Sequence, residues 1–199
     1  AALAGMALWA ALAVASRGAF VARLGGIALP CGIPLVCDGL TALVLAVANL
    51  VALAVAAYSV GYMRSYTDTW KYYALIMIMM AGVNGVVLAG DLFTLFVYLE
   101  VASVAAYALV AFGGEDEALE ASFKYAVMGA VASSFFLLGT AVLYSYTQTV
   151  NLADMARAVA AGAGGVPAVR LAAALILMAL ALKAALAPFH AWMLDAYSR

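Results

Sequence analysis

Two stretches of this chain, LFTLFVYLEVASVAAYALVAF and LAAALILMALALKAALAPFH, are each long and apolar enough to cross a bilayer, yet each carries a charge inside it, Glu100 and Lys183. A carboxylate or ammonium at the centre of a membrane helix costs roughly 2.5 to 3.5 kcal/mol on insertion scales. Such residues therefore face a bundle interior or a wet cavity, and they commonly serve an ion path. The competing reading is a static ion pair that cements two helices.

The rest of the chain supports a membrane solvent. Hydrophobic residues make up 69% of 199 and charged residues 10%, and the mean hydropathy is +1.13. A domain with a water-facing surface does not have that composition. The apolar runs are rich in Gly, Ala and Met without period-2 alternation, which predicts helices and excludes a transmembrane barrel. A net charge of -1 leaves no basic stripe for phosphates, so no nucleic-acid partner is expected. Cys31 and Cys37 are the only cysteines. Two thiols build neither a zinc site nor a cluster, so they read as small buried thiols, with a disulfide as the alternative. No flavin, haem or nicotinamide signature is present, and no cofactor is expected; electrons of any associated redox machine run elsewhere.

About six hydrophobic segments are expected, taking roughly 20 residues per crossing. The first, residues 1–16, lacks a basic leader and an initiator Met and reads as a helix whose beginning is missing, not as a signal peptide. A Gly/Pro-bearing connection with Arg17 and Arg23 leads to the second, about 40–60, with Asp38 at its N-cap. Tyr58, Tyr62, Tyr66, Trp70, Tyr72 and Tyr73 crowd the next connection as an interfacial belt would. The third (73–90) and fourth (92–112) segments are separated only by Gly90 and Asp91, so they are antiparallel neighbours. The acidic run Glu115, Asp116, Glu117 and Glu120 begins the fifth (123–146), where carboxylates favour the positive helix end. A connection with an amphipathic stretch near 151–159 reads as an interfacial helix, and the sixth segment covers 170–188. The whole is one transmembrane domain, residues 1–199. Loop arginines alone would place the side bearing Arg17, Arg23, Arg157 and Arg170 in the cytoplasm.

Phe96, Glu100, Ser103 and Tyr107 recur at helical spacing, which gives Glu100 a hydroxyl and a phenol on its own face. Ser103 and Tyr107 taken singly read as helix-to-helix hydrogen bonds. Pro188 lacks an N–H, which leaves the Ala184 carbonyl without its helical donor and predicts a break just after Lys183. A broken membrane helix exposes carbonyls that favour a cation and admit water; snorkelling of Lys183 to the interface is the alternative. Burial disfavours a charged lysine and a nearby carboxylate restores it. A small helix shift that changes the Glu100 to Lys183 distance would then decide whether Lys183 keeps its proton. Lys124 is either a snorkelling residue or a further stepping stone, and His190 either a relay or a structural group.

CDGLTALVLAVANL followed by YSVGYM, then GDLFTLFVYLEVASVAAYALVAF, FKYAVMGA and LKAALAPFHAWMLDA, occur in an order that resembles the antiporter-type membrane subunits shared by respiratory complex I, the Mrp sodium/proton antiporters and energy-converting membrane hydrogenases. The resemblance implies an all-α polytopic bundle containing part of the first of two inverted repeats. It also implies that Glu100 is the key membrane glutamate and Lys183 the lysine of a broken helix. Lys124 falls on a lysine at the next helix start, and His190, Trp192 and Asp195 fall in a P-x-H-x-W-x-x-D-A stretch. The implied partners are other membrane subunits of a multisubunit redox or antiporter complex, in a prokaryotic cytoplasmic membrane, with protons or sodium ions moved and no redox centre in the chain itself. The implied topology puts the Arg64 and Lys71 connection in the cytoplasm, against the arginine count. Family members are roughly twice this long, so the expectation is a fragment, or a chain whose other half is a separate polypeptide.

Overall fold

Two aspartates start membrane-length helices in the same way. Asp38 accepts a hydrogen bond from the Thr41 N–H at 2.8 Å and begins α2, Gly39–Tyr62. Asp91 accepts from the Thr94 N–H at 2.7 Å and begins α4, Leu92–Val110. Each carboxylate satisfies one of the free N–H groups of a first turn. The computed structural model describes residues 2–27, 32–65 and 68–197. Within them, α1 (Ala2–Arg17) leads through strands β1 (Phe20–Leu24) and β2 (Ile33–Cys37) to α2, followed by α3 (Thr69–Leu88), α4, α5 (Asp116–Thr147), α6 (Leu152–Ala160), α7 (Pro167–Lys183) and α8 (Ala191–Tyr197).

Of these, α2, α3, α4 and α5 are long and apolar enough to span a membrane. The expected first and sixth segments appear as shorter helices, α1 with 16 residues and α7 with 17. At 1.5 Å per residue α7 is about 25 Å long, short of the ~30 Å hydrocarbon core. The α2 surface fits a lipid solvent. Ala42, Leu45 and Asn49 are buried, whereas Leu40, Leu43, Val47 and Leu50 are exposed.

The chain is mostly helical, as expected, with one departure from an all-α fold: an antiparallel hairpin, with Phe20 opposite Cys37 and Leu24 opposite Ile33. Gly and Pro made this region read as a loop. Pro34 has no N–H to give the ladder, and its carbonyl accepts from the Gly90 N–H at 3.0 Å. Cys37 is a buried free thiol; Cys31, the other half of the disulfide alternative, and Tyr66 of the aromatic belt lie outside the described residues.

The hairpin is one side of a clamp on the turn between α3 and α4. Leu35 bridges to Ala89, the Leu92 N–H donates to Val150 O at 3.0 Å, and the Leu152 N–H donates to Gly90 O at 3.1 Å. Hairpin, turn and the start of α6 therefore share one end of the bundle. Between the helices, Asn49 of α2 and Asn84 of α3 exchange hydrogen bonds of 2.9 and 3.2 Å, polar contacts of the kind that join helices in lipid. Helices α3 and α4 approach so closely that a Cβ on Gly82 would lie 2.5 Å from the Ala102 nitrogen.

The Asp38 cap carries a pH dependence. The Thr41 N–H hydrogen bond holds this carboxyl below its usual value, so its stabilising effect is complete above the ordinary carboxylate range and fades as pH falls through the lowered value. Protection of the amides at residues 40–42, measured against their intrinsic exchange rate at each pH, should fall only in that acid window. The Asp38→Ala variant should exchange fast at every pH; equal acid sensitivity in both proteins would discount the cap.

Candidate functional site

The site forms where α4, α5 and α7 meet. Helix α4 turns Tyr98 and Ala102 toward α3, so Glu100, Ser103 and Tyr107 fall on the opposite side. Helix α5 answers with a stripe at helical spacing: Gly129, Ala132, Ser133, Phe136, Gly139 and Thr140 are all buried. Small residues in it allow close approach. The place a Cβ of Gly129 would take is occupied by the Tyr107 hydroxyl, and a Cβ on Gly139 would lie 2.8 Å from the Ala172 carbonyl of α7.

Helix α7 ends at Lys183 with a Schellman arrangement. The Leu186 N–H donates to Ala181 O at 3.0 Å and the Ala185 N–H to Leu182 O at 3.2 Å, with Ala185 in the left-handed region at φ 50°. These bonds close the helix upstream of Pro188, which lies in the turn before α8. Trp192 of α8 covers the end, its Nε1 donating to the Leu182 carbonyl at 3.2 Å.

Lys183 Nζ lies 2.9 Å from Glu100 Oε1 and 3.0 Å from Ser103 Oγ. Side-chain exposures of 13% for Lys183 and 32% for Glu100 describe a pair that is mostly, but not wholly, withdrawn. The two charges that are 83 residues apart in sequence thus form one centre. Ser133 of α5 joins it, with Oγ 2.5 Å from Glu100 Oε1. No buried side-chain nitrogen or oxygen among the described residues lacks a partner. A cavity of ≈ 290 Å³ adjoins the pair, lined by Ser103, Tyr107, Tyr125, Gly129, Lys183 and Trp192 among others. Tyr125 stacks on Trp192 at 4.2 Å and meets Tyr107 edge-on at 4.5 Å.

Lys124 stands apart from this centre. Its ammonium is 2.8 Å from Asp195 of α8 and 2.9 Å from Glu120, in a half-exposed cluster that ties α8 to α5. It lines a second cavity, with Pro188 and Asp195; Met128 and Trp192 line both cavities. His190 is exposed in the turn before α8, lines neither cavity, and accepts the Met193 N–H through its backbone carbonyl. Sequence reasoning missed Ser133 and Tyr125. The signal for Ser133 was its place in the small-residue stripe of α5, four residues beyond Gly129.

The family described as "NADH:quinone oxidoreductase/Mrp antiporter, TM" matches residues 89–199, more than half of the chain and the part that holds the ion pair. The chain belongs to this family. The family described as "NADH-Ubiquinone oxidoreductase (complex I), chain 5 N-terminus" matches residues 25–73. Among antiporter-like relatives, an NADH-quinone oxidoreductase subunit of Desulforudis audaxviator is 37% identical over 98% of this chain and 41% of its own length. A Na(+)/H(+) antiporter subunit of Alkalihalophilus pseudofirmus is 34% identical over 96% of this chain and 39% of its own. A subunit in the structure of the membrane-bound sulfane sulfur reductase, an archaeal respiratory membrane complex, superposes with a TM-score of 0.85 at 35% identity, covering 98% of this chain and 40% of that one. This antiporter-family chain therefore spans about two fifths of the length of the relatives it matches. Membership and four membrane-length apolar helices together make it an integral membrane protein.

Proposed function

We propose that this chain carries part of a proton path, as an antiporter-like subunit of a membrane-bound redox complex of the NADH-quinone oxidoreductase or energy-converting hydrogenase type. The observation that carries the reading is the 2.9 Å contact between Lys183 Nζ and Glu100 Oε1 across two apolar helices, beside a cavity with room for water. In this reading the pair is a switch. A lysine held by a carboxylate keeps its proton, and a lysine drawn away from it into apolar surroundings gives the proton up. The break after Lys183, with Pro188 behind it, supplies the local freedom for such a movement.

Lys124 belongs to the outer side of the path, supported by the residues its cavity shares with that of Lys183, and His190 is a candidate relay in the exposed turn beyond. The six-crossing arrangement follows if α1 and α7 complete the set of spanning helices as part of a first inverted repeat. Neighbouring membrane subunits are the expected partners, in a prokaryotic cytoplasmic membrane with the Arg64 and Lys71 connection in the cytoplasm. Similarity to a Na(+)/H(+) antiporter subunit supports a second reading, a redox-independent exchanger in which the same pair moves sodium against protons. Iron–sulfur subunits that copurify with the chain would favour the first reading over the second.

The test is proton and sodium flux in sealed vesicles holding the intact complex, compared between the parent and a Glu100→Gln/Lys183→Met double variant. Assembled complex without flux supports transport. Assembled complex with parental flux leaves the pair as helix cement and replaces transport by a structural role.

A further inference from the structure

The hydroxyl of Ser133 faces two acceptors and has one hydrogen. Its Oγ lies 2.5 Å from Glu100 Oε1 and 2.9 Å from the carbonyl oxygen of Gly129, one turn back on α5. A serine hydroxyl donates once and accepts through two lone pairs, so at any moment only one of these contacts is a donation by Ser133. Ser103, the other hydroxyl at the pair, is already committed in both senses: it donates to the Leu99 carbonyl at 2.7 Å and accepts from Lys183 Nζ at 3.0 Å. Ser133 is 8% exposed, so it has little access to solvent as a substitute partner.

We propose that Ser133 is a positioning residue whose hydroxyl reverses direction as Glu100 gains and loses a proton. This rests on the reading of Glu100 and Lys183 as an ion path and names the group that makes the glutamate's two charge states equally well bonded. With Glu100 ionised, Ser133 donates to Oε1 beside the Lys183 ammonium. As Lys183 starts to draw away from the carboxylate it gives up its proton along the contact that had been 2.9 Å: the N–H bond breaks and an O–H bond forms at Oε1. The products are a neutral amine and a neutral carboxylic acid, and no charge or atom is left over. Once the amine is withdrawn, the new O–H points at Ser133 Oγ, which now accepts, and the serine hydrogen rotates onto the Gly129 carbonyl. The rotation is a single torsion, and neither state leaves a buried polar group without a partner.

The experiment uses the intact complex in sealed vesicles, with Ser133→Ala, Glu100→Gln, the combination of the two, and Ser134→Ala as a control. The control is apt because the exposed Ser134 hydroxyl donates only along its own helix, to the Ala130 carbonyl at 2.9 Å. Flux is read together with the infrared carboxylic C=O stretch that disappears in Glu100→Gln. Ser133→Ala should lower flux about tenfold, the consequence expected for losing one hydrogen bond to a charged group. It should also move the carboxylic band to higher frequency, since the acid has lost its acceptor. Ser134→Ala should change neither readout, and Ser133→Ala should add nothing in the Glu100→Gln background. If Glu100→Gln stops flux while Ser133→Ala leaves the band in place, whether or not flux falls, the reversal is wrong and the ion path survives. If Glu100→Gln leaves flux intact, the ion path itself falls and the role of Ser133 goes with it.

Discussion

Lys183→Ala stops ion flux through assembled complex, by at least about a hundredfold if the lysine hands on protons, and it destabilises the protein more than neutralising both partners does. The second half of this expectation follows from what the single change leaves behind. Glu100 would keep the Ser133 hydroxyl but lose the ammonium 2.9 Å away, so a carboxylate would remain largely withdrawn from water without its counter-charge. Breaking a fully buried pair costs about 3 to 5 kcal/mol, whereas replacing both members by apolar groups is often neutral. Glu100 is 32% exposed, so about 2 kcal/mol is the expected loss for the single variant, below the fully buried figure. Thermal or denaturant unfolding of Lys183→Ala beside Glu100→Gln/Lys183→Met reads the difference. Equal stability of the two variants would mean that the carboxylate is solvated and the pair is not a withdrawn switch.

Phe136→Ala has the largest expected effect on the fold. This ring is 1% exposed and sits in a cluster with Leu92, Met155 and Ala179, joining α4, α5, α6 and α7. It stacks on Phe96 at 6.1 Å. Removing a buried phenyl group leaves a cavity whose lining loses its dispersion partners, a loss of about 3 to 5 kcal/mol. Because Phe96 lies one turn before Glu100 and Phe136 three residues after Ser133, the cavity opens next to the ion pair, and flux should fall together with the unfolding midpoint. Phe123→Ala, at a ring 70% exposed on the same helix, should stay within about 0.5 kcal/mol of the parent. A Phe136→Ala protein as stable as that control would show that the layer repacks and that the site does not lean on it.

The parts of this architecture legible in the sequence are those where one residue contrasts with its surroundings. Asp38 stands out before an apolar run and caps the helix that follows; Asp91, which reads in the sequence only as part of a turn, does the same for α4. Glu100 and Lys183 stand out because a charge is costly in lipid, and the structure brings them into contact. Features set by the mutual rotation of helices were not legible. Ser133 and Ser134 are adjacent and both bond a carbonyl of their own helix; only the packing of α5 decides which of them reaches Glu100. The hairpin was hidden because its strands have five residues each and one contains a proline. The end of α7 was anticipated from Pro188, but the closing bonds depend on a left-handed Ala185, a conformation that alanine does not advertise.

The clamp on the α3 to α4 turn fixes a fulcrum. Residues 89–92 are stitched to Pro34 and Leu35 on one side and to Val150 and Leu152 on the other, so the root of α4 cannot slide without breaking several backbone hydrogen bonds at once. A stroke of α4 that changes the gap between Glu100 and Lys183 is then a tilt about that root. Its amplitude grows along α4 toward the Ala111 end, and a push delivered there acts on Glu100, about halfway down the helix, as on the middle of an oar.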